Sequence, residues 1–511
     1  MAAMTHPAPI AARIVGLVLL IGVMAACASP RQPPPGSAVG GRLDDLAVDV
    51  FRQGYAGIAE RYIEPVAIGV MAVDGLGGLT VLDPSLTIRR RGNRVMLSTG
   101  GRGVEDFAVP GDDDVGGWAR LTAAIVAAGR MVSPALAAAD AERLFEAVFD
   151  GALSTLDPFS RYATAAEARG NRFRRDGHGG IGVSFRMVNG EVHVVGVSID
   201  GPAHRAGLRV GDRLTRIDGI PVLGQTEAAV AAWLSGPAGT WVTVTTEREN
   251  GLEARRLHVH RAHVVAETVT DRYADGIVHL TVDGFNQGTA GRIWSILDTL
   301  VAREGPPLRG VVLDLRGNPG GLLHQAIRVA DLFLDHGPII TTRGRHLDSV
   351  KAYRAQGRDV VSGRPVVVLV DGGSASAAEV VALALKDRGR AVVVGTTSYG
   401  KGSVQVVVPL PNEGELSLTW SRLVSPSGWS LHGRGVLPDI CTSGVDGEHA
   451  NAVAQTLAVR WTTLHPPIAA PCAAERRTGD LEVTVARRLL ADPSAFRRAL
   501  AQTATIAEVA R

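Results

Sequence analysis

The chain has 511 residues, 46% hydrophobic and 20% charged, enough for about two to four folded domains. A net charge of +2, with only short basic clusters such as Arg89-Arg90-Arg91, argues against a nucleic-acid partner, which requires a clustered basic face. His258, His260 and His263 have no H-E-x-x-H pattern or cysteine partner, so they read as a surface strand and no metal is expected.

Arg13 precedes an apolar run from Ile14 to Ala26 that ends in Met24-Ala25-Ala26-Cys27. Charge, length and small terminal residues make residues 1–27 a signal peptide, too short to span a bilayer comfortably. Cysteine after Ala-Ala resembles a bacterial lipobox, with Met24 in place of the usual leucine; the expectation is lipidation at Cys27 and export to the periplasmic face of a bacterial membrane. Ordinary signal cleavage and an uncleaved anchor are the alternatives. Residues 28–41, with Pro33-Pro34-Pro35, read as a flexible tether. Residues 42–177 read as helix-rich, with a glycine- and aspartate-rich insertion from Gly100 to Gly117. Ala72-Val73-Asp74-Gly75 leading to Leu82-Asp83-Pro84-Ser85 is echoed by Ala147-Val148-Phe149-Asp150-Gly151 leading to Leu156-Asp157-Pro158-Phe159-Ser160, which reads either as a degenerate duplication or as a chance echo.

Residues 178–262 read as short strands, a Gly-Asp turn and a helix. Gly180-Ile181-Gly182-Val183 and the run from Pro202 to Asp212 resemble a PDZ domain. That resemblance implies a carboxylate nest at Gly180 to Gly182, an edge strand Val183 to Val188 that pairs with an extended peptide, and a facing helix Thr226 to Leu234. Beyond it, apolar strands at Ile277–Val282, Gly310–Leu315, Val366–Val370 and Ala391–Val394 alternate with helices near Ala290–Ala302 and Leu322–Leu334. This argues for an α/β core with a largely parallel sheet over residues 263–442. Residues 443–511 read as a helical appendage.

The stretch Asp371 to Gln405 carries the chemistry. Gly372-Gly373-Ser374-Ala375 is a small flexible turn, and the apolar run Ala377 to Leu385 is a helix with Val380, Val381, Ala384 and Leu385 toward a core and Glu379 in its first turn. Ser376 therefore falls at a helix N-terminus, beside backbone N–H groups that orient a nucleophile and bind an oxyanion. No histidine lies in the stretch, so Lys401, between Gly400 and Gly402, is the candidate base. A lysine pKa near ~10.4 must fall by about 3 for the amine to be neutral at pH 7, which burial in an apolar pocket supplies. Val404, Val406, Val407 and Val408 are candidate walls, and Gln405 is placed to aim the amine. Gly395 to Lys401 also fits the start of a phosphate-binding loop, but Gly402 stands at the required Ser/Thr position and a strand follows where a helix is needed.

S-A-S-A-x-E followed by G-K-G-x-x-Q, with serine and lysine 25 positions apart, resembles the carboxy-terminal processing peptidases, or tail-specific proteases. The likeness runs from about Ala141 to Ile440 and includes the D-L-R-x-N-P-G-G loop at Asp314–Gly321, the L-D-P-x-S segment at Leu156–Ser160 and the closing Gly433–Ile440. It implies a crotonase-like α/β core with an inserted PDZ β-domain and a helical N-terminal region. It further implies Ser376 as nucleophile, Lys401 as general base, Gln405 as its orienting partner, and an oxyanion hole from Gly320 or Gly321 with Ala377. The expected protein is a cell-envelope serine endopeptidase that recognises C-terminal tails and needs no cofactor. A catalytically latent binding or adaptor protein on the same fold is the alternative, and an adaptor lipoprotein or self-association is left open. Asp371 stands where the family frequently has asparagine. Cys441 and Cys472 are either a disulfide or two buried thiols.

Overall fold

Alternating valines decide the central layer. Val311, Leu313, Val366, Val368 and Val393 face one way; Val312, Val367, Leu369, Val392 and Val394 face the other, all fully buried. The computed structural model describes residues 37–198, 200–248, 254–302, 307–357, 359–445 and 472–509; the signal stretch, Cys27 and most of the tether lie outside them. Strands Ile277–Val282, Gly310–Asp314, Val366–Val370, Ala391–Gly395 and Ile440–Cys441 are parallel neighbours in that order, with Val269–Ala274 added antiparallel at one edge.

A parallel sheet apolar on both faces needs a helical layer on each side. Thr289–Ala302, Leu323–Asp331 and Ala377–Asp387 supply one layer. The other comes from Leu481–Ala491 and the start of Pro493–Val509, whose Leu481, Val485, Leu489, Leu490 and Phe496 pack on the second valine set. Each such side chain contributes about 1.5–3 kcal/mol when buried. The stretch read as an appendage is therefore half of the core's covering.

A second sheet, ordered Lys351–Arg354, Pro338–Arg343, Glu415–Val424, Ser403–Pro409, lies beside the helices, and Arg161–Ala163 pairs onto Glu415–Ser417. The N-terminal region has its own core, in which Phe51, Tyr55, Trp118, Phe145 and Phe149 are buried together. That region is helix-rich, as expected, but it also holds a sheet that was not expected. Leu86–Arg91, Arg94–Thr99 and Arg102–Ala108 form an antiparallel three-stranded sheet. Its signal was the alternation of Leu86, Ile88, Val95 and Leu97 about the Gly92-Asn93 turn dipeptide. The two echoing stretches share one order of elements: helix Ile68–Gly77, Asp83 turn, strand Leu86–Arg91; helix Ala141–Leu153, Asp157 turn, strand Arg161–Ala163.

Between residues 178 and 264 a separate β-domain is inserted. His178–Gly180 pairs antiparallel with Ala262–Val264, so entry and exit lie side by side. Its sheet has the order Arg255–His260, Trp241–Glu247, Arg213–Ile217, Glu191–Val197, Val183–Val188, leaving Val183–Val188 as an edge facing helix Glu227–Leu234. His258, His260 and His263 bond separately to Thr243, Gly239 and Asp176.

Candidate active site

Three loops leave the carboxyl ends of three adjacent parallel strands and meet. Strand Gly310–Asp314 leads to the loop through Gly321, Val366–Val370 to the turn before Ser376, and Ala391–Gly395 to Lys401. Ligands of open α/β sheets bind at this end.

Ser376 is half-buried just ahead of helix Ala377–Asp387, with φ +55° and ψ −112°. That backbone is strained for a residue with a Cβ, and such strain clusters at functional sites. The surroundings impose it: Ala375 N–H donates to the Asn318 carbonyl at 2.9 Å, and Ser376 N–H donates to Glu379 Oε2 at 2.7 Å. Ser374 differs from Ser376. It is fully buried, and its hydroxyl donates to the Leu315 carbonyl at 2.8 Å.

Gly320 and Gly321 abut the serine. A Cβ on Gly320 would lie 2.8 Å from Ser376 Cβ and 3.0 Å from Ala377 N, and one on Gly321 would strike the Phe285 carbonyl oxygen at 2.2 Å. Both have positive φ, so only glycine fits. The two glycines are not equivalent donors. Gly320 N–H is committed to Asn318 Oδ1 at 2.8 Å, whereas among the described residues Gly321 N–H and Ala377 N–H have no acceptor. The free pair beside Ser376 is thus Gly321 and Ala377.

Glu379, fully buried, joins the serine loop to the lysine loop. Its Oε2 accepts from the N–H of Ser376 and of Lys401 (2.9 Å); its Oε1 accepts from Gly400 N–H (2.6 Å) and the Ser398 hydroxyl. Burial pushes its carboxyl up, and the four donors work against that. Sequence reasoning saw only a favourable dipole position for this residue.

Lys401 is partly buried, and its pKa is lowered, first by burial and then by the Arg161 guanidinium, against Asp157 and Glu379. Its Nζ lies 5.0 Å from the centre of the Phe159 ring. Among the described residues no hydrogen bond joins Nζ to Ser376 Oγ, a contact that in substrate-free sites commonly tightens only on binding. The valine pocket expected around the amine does not form. Strand alternation turns Val406 and Val408 into the N-terminal core, Val404 packs on the main core and Val407 is exposed; Phe159 covers the amine instead. Gln405 does not reach Lys401 either. Its Nε2 donates to Ser403 Oγ at 2.9 Å and Thr419 Oγ1 at 3.2 Å. Thr419 in turn donates to Asp157 Oδ1 at 3.0 Å, so the glutamine is linked to the turn carrying Phe159. Burial raises the Asp157 carboxyl, but bonds from Ser160, Phe159 and Thr419 outweigh it and hold the group below the usual range. The L-D-P-x-S segment therefore belongs to the site. Ser376, Gly320, Gly321 and Gln405 line one cavity of about 780 Å³.

Asp371 has a role that sequence left open. Its Oδ1 accepts from Gly317, Gly373 and Ser374 N–H, while Oδ2 accepts from Arg477 N–H at 2.9 Å. An asparagine there would turn its NH₂ toward the Arg477 donor. Residues 472–480 run behind the catalytic loops: the Glu475 carbonyl accepts from Gly372 N–H and Thr396 Oγ1, each at 2.7 Å, and the Cys472 carbonyl accepts from Thr397 Oγ1. Cys472 is disulfide-bonded to Cys441, 31 positions earlier. Closing a loop of that length restrains the unfolded chain by about 3–4 kcal/mol in the chain-entropy model. Cys441→Ser/Cys472→Ser is accordingly expected to lower the thermal midpoint measured by circular dichroism, and dithiothreitol should do the same to the natural chain. Free thiols at both positions before reduction would contradict the bond.

The β-domain offers a second cavity of about 490 Å³ between Ile181–Phe185 and the helix residues Ala231 and Leu234. Ile181 to Val183 line it, with Gly182 at φ +75°, whereas Gly180 is paired with Ala262 and is not among the lining residues. Phe173 lines this cavity while Asn171, Arg174 and Arg175, on the same helix Ala165–Asp176, line that of Ser376.

A serine at a strained helix N-terminus, on a parallel α/β sheet with an inserted PDZ-type β-domain, defines a PDZ-bearing member of the serine peptidases. The model of peptidase family S41 matches residues 276–442, and that of the PDZ domain matches residues 193–248. The carboxy-terminal-processing protease of Bartonella bacilliformis is 39% identical over 303 residues, 59% of this chain and 70% of that protein. A "Probable CtpA-like serine protease" of Staphylococcus haemolyticus is 31% identical over 306 residues, 59% of this chain and 60% of its own length. Among solved structures, the photosystem II D1 C-terminal processing protease is 29% identical, with 57% of this chain and 81% of that chain covered at a TM-score of 0.35. The chain belongs to peptidase family S41, among the carboxy-terminal processing proteases.

Proposed function

We propose that this protein is an endopeptidase of the cell envelope that takes hold of substrates by their C-terminal tails and cleaves them with a Ser376–Lys401 pair on a crotonase-like core. The observation that carries the reading is the junction at Glu379, which ties the backbone of Ser376 to that of Lys401, next to the serine whose neighbours Gly321 and Ala377 keep free N–H groups. Ser376 Oγ attacks the scissile carbonyl as Lys401 Nζ accepts its proton. Gly321 and Ala377 N–H stabilise the oxyanion. The C–N bond then breaks, Lys401 returns the proton to the leaving amine, and water hydrolyses the ester with Lys401 again as base. Gln405 acts through Thr419 and Asp157. The edge strand Val183–Val188 and the turn Gly180–Val183 receive the tail and its carboxylate. The expected lipidation at Cys27 would hold the body at the membrane.

The test uses fluorophosphonate labelling of Ser376 and cleavage of one tailed substrate with a free or amidated terminus. Labelling lost in Ser376→Ala is expected, with amidation slowing cleavage by about 10- to 100-fold, the range for bonds to a charged group. Absent labelling would favour a latent adaptor; equal rates for both termini would remove carboxylate recognition.

A further inference from the structure

The cavity of Ser376 adjoins a second groove of about 560 Å³, and Arg161 and Arg174 line both. Arg161 opens the strand Arg161–Ala163, and Arg174 lies on helix Ala165–Asp176; both are exposed. Among the described residues neither has an acidic partner, and Arg174 donates only to Asn171 Oδ1, at 2.7 Å. The acids of this face are already committed. Glu415 accepts from Asn171 and lies 3.6 Å from Arg172 and 3.8 Å from Arg175; Glu413 pairs with Arg169 at 3.0 Å; Glu167 accepts from the N–H and hydroxyl of Thr164. Two guanidiniums on one passage, neither in ion-pair contact with a carboxylate among the described residues, favour an anion, which arginine binds in a two-pronged fashion.

We propose that Arg161 and Arg174 form a carboxylate-binding subsite beside the catalytic serine, selecting substrate segments with a negative charge near the scissile bond. The carboxylate comes from an Asp or Glu side chain or from the α-carboxylate of a short tail. This subsite is separate from the PDZ groove, whose lining includes neither arginine. It rests on the peptidase reading of Ser376. Arg161 serves a second purpose there, since its charge opposes protonation of Lys401.

The test takes one terminally blocked peptide that the full chain cleaves and walks a Glu/Gln swap through successive positions around the scissile bond. At one position Glu should exceed Gln in kcat/KM by about 10- to 100-fold at low salt, chiefly through KM, and the gain should shrink as salt is added. The ratio should approach unity in Arg161→Gln/Arg174→Gln and be partly retained in Arg174→Lys. A short unblocked peptide separates the two sources: a gain from its free terminus that the double variant loses assigns the α-carboxylate, and one that the double variant keeps belongs to the PDZ groove and counts against the subsite. Binding of the same peptides to Ser376→Ala, read by fluorescence anisotropy, decides the matter without turnover. Loss of all cleavage with the Glu preference intact in binding would overturn the peptidase reading and spare the subsite. Equal Glu and Gln affinities, or a preference unchanged by the double variant, would overturn the subsite.

Discussion

Lys401→Met is expected to abolish proteolysis while making the folded chain more stable at neutral pH. Burial and the nearby Arg161 charge depress the lysine pKa in the folded state, whereas in the unfolded chain it returns to ~10.4. Between those values the unfolded state binds more protons than the folded one, so stability rises with pH across that window. The penalty is complete below the depressed pKa and has faded by the unfolded value. Methionine keeps the stem's packing and removes the penalty. Denaturant titrations of both proteins, at neutral pH and near ~10, should show the gap closing as pH rises. Catalysis moves with pH in the same direction: only the neutral amine accepts the serine proton, so the natural rate should climb with pH through the depressed pKa and then level. Lys401→Arg keeps the charge and cannot lose it, so it should fail as completely as Ser376→Ala, with a loss on the order of 10⁵–10⁶ in kcat/KM. An active arginine variant, or a rate indifferent to pH, would show that Lys401 is not the base.

The second large effect is expected at Glu379, a residue that never meets substrate. Glu379→Ala strands three backbone N–H groups and the Ser398 hydroxyl in a buried space. Each lost partner costs about 1–3 kcal/mol, so a destabilisation of about 4 kcal/mol or more is expected, short of whatever entering water restores. Glu379→Gln is the sharper probe because volume is kept. Its NH₂ must face either the Ser376 and Lys401 donors or those of Gly400 and Ser398, so one of the two loops loses its anchor. Fluorophosphonate labelling of Ser376 should slow by about 100-fold or more, as expected when a reacting group shifts by an ångström. A Gln variant that labels at the natural rate would show that Glu379 merely fills space.

The contrast between Ser376 and Glu379 marks where reading a chain stops. The helix-end position of Ser376 and the glycine turn around Lys401 were legible because each rests on local chemistry, a small-residue turn before a helix and glycines flanking a lysine, while the glycine loop at Asp314–Gly321 came from the family resemblance. The main strands followed from short-range rules for apolar runs of strand length, and the edge strand of the β-domain from its resemblance to a PDZ domain. The helix starting at Leu322 in the reading starts at Leu323, an ordinary uncertainty of boundaries. What escaped was set by partners far along the chain. Phe159 covers Lys401 across 242 positions of sequence, as their numbering shows. Gln405 finds Thr419 rather than Lys401 because strand pairing, not spacing, decides its neighbours.

By itself, then, the sequence determined the class of chemistry and the order of elements, since residue type and period act over a few positions. Only the tertiary structure decided which donors are free. Gly320 loses its N–H to Asn318, and Gly321 keeps its own, by a choice of loop conformation that no pattern encodes. It also decided that residues 472–480 brace Asp371 and that the last helices close the second face of the sheet. Burial and hydrogen-bond saturation are properties of everything packed around a group, and most of that packing comes from elsewhere in the chain.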